Sequence, residues 1–319
     1  MRNAARRVGS LERMLQKCVL CPRRCRADRT SGDRGFCGLA AEMRIHAALP
    51  HHGEEPPLSG SRGAGTIFFA SCNLRCVYCQ NHQISHSAAG RPVSVEELAG
   101  IMLDLQAGGC HNIEPVTPTP HLPGIMAALL LARERGLGLP LVFNGGGYEQ
   151  AGIIRLLAGL VDIYLPDFKY GLAETGRRFS GVADYPRRAL ASLREMVRQV
   201  GDTLECREGI ATRGVLVRHL VLPGQLENSL AVLRTIREEI SASVPLSLMA
   251  QYTPIPAVAA DPCLGRRLSR REYEQAVDAA LALGFEELYT QEVDERNLAP
   301  DFGRERPFAW DQSGGRDDA

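Results

Sequence analysis

From residue 65 onward the chain alternates short runs of aliphatic, aromatic and β-branched residues with longer amphipathic stretches. The strand-like runs are GTIFFA (65–70), NIEPVTPT (112–119), PLVFNGGG (140–147), VDIYLPDFKYG (161–171), GVLVRHLVLPG (214–224), VPLSLMAQYTP (244–254) and ELYTQ (287–291). Helical periodicity occupies 94–109, 124–136, 149–159, 187–201, 228–240 and 269–285. The first of these helices carries its own start and stop signals: Ser94 with Glu97 as a capping box, then Gly108 and Gly109. Repeated strand-then-helix units predict an α/β fold, a parallel sheet covered by helices. An open doubly wound sheet and a barrel both satisfy that pattern. Six or seven units are short of a full eight-unit barrel, so a partial parallel (βα)6 TIM-like barrel fits best. The polar residues sit just after the strands, where both architectures place their chemistry.

The chain before residue 65 has a different texture. Residues 1–17 read as a short helical arm, and 18–64 are rich in Cys, Arg, Gly and Pro, ending in the turn-rich connection HHGEEPPLSGSRGAG (51–65). The expected organisation is an N-terminal arm and Cys-rich metal-binding segment (1–64), a barrel (65–292) and a C-terminal tail (293–319) whose end, WDQSGGRDDA, reads as frayed. Lys and Arg total 37 and Asp and Glu total 37, so no basic footprint for nucleic acid is evident. No run of eighteen apolar residues suggests a membrane span, and the basic start lacks the apolar core of a secretory signal. A cytoplasmic chain is expected. There, ten cysteines point to metal or redox chemistry rather than to disulfides. Cys110, Cys206 and Cys263 stand alone and are expected to be small buried apolar residues.

The stretch SCNLRCVYCQN (71–81) spaces Cys72, Cys76 and Cys79 as C-x3-C-x2-C directly after the first strand. A structural zinc site wants four ligands; His82 or His86 could supply a fourth here. A 4Fe-4S cluster takes one thiolate per iron, so three thiolates leave one iron open. An open coordination position is the mark of a catalytic metal.

This loop, with Tyr78 before its last cysteine, resembles the radical S-adenosylmethionine (SAM) superfamily. CVLCPRRC…RGFCG, CNLRCVYCQN, VTPTP, LPDFKYG, VRHLVLPG and SLMAQYTP occur in that order. Together they resemble the uncharacterised proteins related to pyruvate formate-lyase activating enzyme, over roughly residues 18–292. The resemblance implies a partial barrel of six βα units and a 4Fe-4S cluster on Cys72, Cys76 and Cys79. It also implies SAM chelated to the open iron, and reductive cleavage to methionine and a 5′-deoxyadenosyl radical that abstracts hydrogen. An electron donor such as flavodoxin or ferredoxin is implied with it.

The same resemblance suggests further contacts. Asp167 and Lys169 match a strand-end pattern beside the nucleoside; a surface ion pair is the alternative. Arg218 matches an arginine near the SAM carboxylate, for which its fork is suited; pointing to solvent is its alternative. Asn144 leads into Gly145–Gly147, either a close approach to ligand or a simple strand-ending turn. Activating enzymes hold the SAM amino group with a Gly-Gly-Glu motif at the second strand. Here GGCHNIEPVTPTP stands instead, leaving Thr117, Thr119 or the backbone for that contact. Gln251 and Tyr252 end the sixth strand and are expected to line the cavity.

Cys18, Cys21, Cys25 and Cys37 supply four more thiols in a stretch too small for its own core. Zinc, an auxiliary iron–sulfur cluster and a non-metal role are all open. In activating enzymes the extra clusters follow the three-cysteine loop, whereas this group precedes it. The function expected is that of a radical SAM oxidoreductase, acting on a glycyl residue of a protein partner. A small molecule or another peptide is the rival substrate. A non-catalytic iron–sulfur or zinc scaffold is the reading from another class; a zinc hydrolase would want a pattern such as H-E-x-x-H, which is absent.

Overall fold

The computed structural model of the chain describes residues 2–293 and 299–308. Eleven strands are found among them: β1 Met43–His51, β2 Ala64–Phe69, β3 Arg91–Val93, β4 Ile113–Val116, β5 Val142–Gly145, β6 Ile163–Pro166, β7 Leu204–Arg207, β8 Ile210–Val215, β9 Val217–Leu220, β10 Leu246–Met249 and β11 Leu288–Thr290. Eight form one sheet in the order β3-β1-β2-β4-β5-β6-β8-β7, and three form a second in the order β11-β10-β9. The two are stitched by a parallel bridge between Asp167 and Arg218, with the Phe168 amide donating to the Arg218 carbonyl at 2.7 Å. Pairing is parallel from β2 through β4, β5 and β6, and again from β9 through β10 to β11. This is a mixed α/β architecture, antiparallel only where β1, β3 and β7 join.

Strands β2, β6 and β10 are buried at every position, which a sheet manages only when both faces are covered. Helices supply one cover. Val95–Ala107 starts at the anticipated capping box, Glu97 N donating to Ser94 Oγ and Ser94 N to Glu97 Oε2. Leu122–Glu134 buries Leu122, Ile125, Met126 and Leu129 completely. Tyr185–Val200, Leu226–Glu239 and Arg270–Ala282 follow the expected periodicity to within two or three residues at each end.

Three segments depart from the sequence reading. Residues 43–51 form β1 and pair with β2, although MRIHAALPH alternates poorly and only Met43, Ile45 and His51 are buried. Its stability comes from the neighbouring strand, not from its own pattern. Residues 56–59 make one helical turn opened by prolines inside the expected loop. Residues 204–215, which follow the helix at 187–201 and run into the next strand-like run, form a β7–β8 hairpin. Of the lone cysteines, Cys110 is buried, Cys263 is half-buried and Cys206 is exposed on β7. At the C-terminal side, Phe302 and Phe308 pack edge-on or tilted against Phe68. The expected frayed end, 310–319, lies outside the described residues. Among the described residues no helix is long and apolar enough to cross a membrane.

Candidate functional site

A cavity of about 470 Å³ opens at the C-terminal ends of the parallel strands, within the range of small-molecule and cofactor pockets. It collects residues from every parallel unit. The loop after β2 contributes Cys72, Cys76 and Cys79; β4 is followed by Thr117; β5 ends in Asn144 and Gly145; Asp167 and Lys169 follow β6. Arg218 enters from β9, and Gln251 and Tyr252 come after β10. The residues predicted for the cluster and its cosubstrate thus line one cavity, apart from Thr119, while Cys18, Cys21, Cys25 and Cys37 lie outside it. The Thr119 side chain is buried and donates to Glu149 Oε1 at 3.0 Å.

The three-cysteine loop is held in a strained conformation. Ser71 and Arg75 adopt φ of 68° and 55°, and Thr117 opposite adopts 58°. Non-glycine residues rarely occupy this region, β-branched ones least of all, and such strain concentrates at functional sites. Each thiol accepts a hydrogen bond. The Leu74 amide donates to Cys72 Sγ at 3.3 Å, Ser180 Oγ to Cys76 Sγ at 3.0 Å and Ser85 Oγ to Cys79 Sγ at 3.3 Å. Ser180 lies 104 positions from Cys76 and Ser85 just past the end of the loop; neither belongs to a motif, so the fold assigns them this role. Burial, with Cys76 beside it, pushes the Cys72 thiol up to about 12, and burial raises Cys79 as well. Cys72 and Cys79 are therefore held as neutral thiols, and a cationic group would take them as thiolates. Below the loop, Tyr78 meets Tyr170, Phe179 and Tyr252 edge-on, a rigid aromatic floor.

No group of three or more His, Cys, Asp or Glu converges on a single-ion position among the described residues. His86, one candidate fourth zinc ligand, instead turns its Nε2 to the Cys76 carbonyl at 3.0 Å.

Opposite the thiols lies a buried charge network. Lys169 Nζ meets Asp167 Oδ2 at 2.5 Å. Burial alone would lower the Lys169 ammonium, but Asp167, with Cys76 and Tyr78 near, holds it well above its ordinary value. Arg218 is 8% exposed. Its Nε donates to Glu55 Oε1 at 2.8 Å, and its Nη2 reaches Glu55 Oε2 and Glu54 Oε2. Burial pushes Glu55 up, and the guanidinium outweighs it, holding the carboxyl below the usual range. Glu114, fully buried on β4, goes the other way: burial first and the Glu54 charge second push it well up. It accepts from Asn144 Nδ2 at 2.7 Å and so fixes that amide at the cavity edge. The glutamates of HHGEEPP carry no motif, and only the fold brings them to β9.

The glycine run after Asn144 divides its labour. Gly145 and Gly146 line the cavity. Gly147 has φ +78°, and a Cβ there would lie 2.1 Å from the Asp167 carbonyl. It is the turn residue that lets this loop close on the end of β6.

Beneath the wall, Glu149 is 1% exposed. Its Oε2 has no hydrogen-bond partner among the described residues. Burial, with Asp167 adding to it, pushes its carboxyl up to about 7. The folded chain thus binds this proton more tightly than the unfolded chain between about pH 4.5 and 7, so this group's contribution to stability falls as pH rises through that window. Glu149→Gln removes the effect. The variant is expected to match wild type near pH 4.5 and to exceed it by about 3 kcal/mol at pH 8. Urea unfolding of both proteins at the two pH values checks this; an equal difference at both would refute it.

No family model matches the chain. A curated relative, an uncharacterized protein of Methanocaldococcus jannaschii, is 29% identical over 291 residues, 89% of this chain and 80% of that protein. Among solved structures, Streptococcus suis SuiB bound to precursor peptide SuiA matches at 13% identity with TM-score 0.49, over 70% of this chain and 47% of that one. The same protein bound to S-adenosylmethionine matches at 12% and 0.47, over 70% and 48%. Native anSMEcpe with bound AdoMet matches at 11% and 0.47, over 69% and 61%. The chain therefore spans about half to three fifths of these solved chains.

Proposed function

We propose that the chain is a radical SAM enzyme whose barrel is incomplete, with its active centre in the cavity at the strand ends. The observation that carries this reading is the placement of all three thiols of the C-x3-C-x2-C loop on the same cavity as Thr117, Asn144, Asp167, Lys169 and Arg218. Cys72, Cys76 and Cys79 would hold a 4Fe-4S cluster. Bound there, the cluster would supply the electron that reductively splits S-adenosylmethionine into methionine and a 5′-deoxyadenosyl radical. The remaining work belongs to the chain. Ser85, Ser180 and the Leu74 amide stabilise thiolate sulfur by donating to it. Asp167 and Lys169 present an acceptor and a donor suited to a nucleoside, and Asn144 is held ready by Glu114. The aromatic floor and the buried strand ends exclude water from a reactive radical. The fork of Arg218 is already on Glu54 and Glu55, so it acts on a ligand carboxylate only by exchanging partners or by sharing its field.

The substrate we favour is a glycyl residue of a protein partner, on the motif resemblance; a small molecule or another peptide is the second reading. Flavodoxin or ferredoxin suits the electron supply in a cytoplasmic setting. The test is anaerobic reconstitution with iron and sulfide, then dithionite and S-adenosylmethionine. Expected is a reducible cluster and formation of 5′-deoxyadenosine with methionine. Zinc at this loop without a cluster would overturn the reading.

A further inference from the structure

A second, separate constellation of thiols lies outside the cavity just described. Cys18, Cys21, Cys25 and Cys37 all border one small enclosed space, together with Arg29 and Phe36. They come from a stretch with almost no regular structure: one 3-10 turn, Arg29–Ser31, between Cys25 and Cys37. Both residues flanking Cys25 have positive φ, Arg24 at 43° and Arg26 at 58°. Hydrogen bonds among themselves do not explain why four thiols should meet there.

The neighbouring charge does. Arg29 is 2% exposed; its guanidinium donates to the carbonyls of Ala40, from Nε at 3.0 Å and Nη2 at 2.7 Å, and of Pro120, from Nη1 at 2.8 Å, and it also lies beside the Cys18 thiol. No carboxylate partners it among the described residues. A buried cation without a counter-ion is costly. Zinc bound by four thiolates carries a net charge of two minus, and it would supply that counter-ion against the same wall.

We infer that Cys18, Cys21, Cys25 and Cys37 form a tetrahedral zinc site, distinct from the three-cysteine loop; Arg29 offsets the site's negative charge in part, and the site holds the segment beneath that loop in place. A closed set of four thiolates, with no position left open for a substrate, is the donor set of a structural zinc. No three of these thiols converge on one ion position among the described residues, so loading draws the whole segment together, the exposed Cys25 on its strained turn included. Ordering by metal is the usual means for a segment too small to have a core.

The consequence for the catalytic loop runs through Arg23. Its Nε donates to the Asn73 carbonyl at 3.0 Å, and its Nη2 to Leu74 at 3.3 Å and Ser180 at 2.9 Å. It therefore clamps the backbone around Cys72 and the residue whose hydroxyl serves Cys76. Ser71 Oγ adds a bond to the Cys37 carbonyl. The zinc segment is a positioning element for the loop.

The experiment uses the full chain with Cys72, Cys76 and Cys79 replaced by alanine, so that any metal found belongs to the N-terminal thiols and the result does not depend on radical chemistry. We expect one zinc per chain, no iron or sulfide, and loss of the zinc in the further Cys21→Ser/Cys37→Ser variant. So that misfolding of that variant does not decide the outcome, cobalt(II) is also titrated into the metal-stripped parent. Intense visible bands of a tetrahedral tetrathiolate are expected; a faint octahedral spectrum overturns the site. Iron and sulfide bound in place of zinc overturn the choice of metal. Amide exchange across residues 71–79 is expected to rise at least tenfold when zinc is stripped from the wild-type chain, and unchanged exchange overturns the positioning role.

Discussion

Wild-type chain is expected to yield 5′-deoxyadenosine, and the Cys72/Cys76/Cys79→Ala chain none above the enzyme-free blank. The effect is this large because the three thiols are the cluster's only expected attachment, so their loss removes the electron path as a whole. It should cost little stability. Cys72 and Cys79 are half-buried and only Cys76 is fully so, and trimming one sulfur leaves a small void worth about 1 kcal/mol at most per site. Unfolding midpoints measured alongside the assay separate the two effects. A variant that is folded and still forms product would remove the thiols from the chemistry.

Arg218→Met is expected to lower stability by about 3–5 kcal/mol at neutral pH, because it leaves buried carboxylates without their cation. Glu55 loses the guanidinium that meets both its oxygens, and Glu54 is left with the His51 imidazole at 3.8 Å. Adding Glu54→Gln and Glu55→Gln to the same chain is expected to recover most of that loss, since the uncompensated charge goes with them. Urea unfolding of the single and triple variants is the measurement. A loss below about 1 kcal/mol for Arg218→Met would mean that the ion pairs are not what holds the residues of HHGEEPP against β9.

Much of the fold was legible because local physics and global structure agree. The helix at Val95–Ala107 carries its cap in its own sequence. The strand runs of 65–70 and 161–171 are apolar enough to require burial on both faces, and β2 and β6 are so buried. What failed to show was set by partners distant in sequence. Strand β1 lacks an alternation strong enough to announce it, yet its register with β2 runs from Ile45–Phe69 to His51–Ala64. The C-x3-C-x2-C spacing was legible because a cluster demands thiols at short range. The hydroxyls of Ser85 and Ser180 were not, because a hydrogen-bond donor can come from anywhere the chain passes. Arg218 was legible as a cation at a strand end, while Glu54 and Glu55, more than 160 positions away, had no periodicity or motif to connect them with it.

Ligand chemistry and element order were written along the chain itself. Thiol spacing, the alternation of strands with helices and the glycines after Asn144 are short-range patterns that local sterics and valence enforce. Charge partnership and burial were not written there. Whether Lys169 keeps its proton, Glu114 holds one or Arg29 lacks a counter-ion depends on desolvation and on neighbours brought in from other elements. Those are fixed only when the packed chain excludes water and sets which charges stand within a few ångströms of one another.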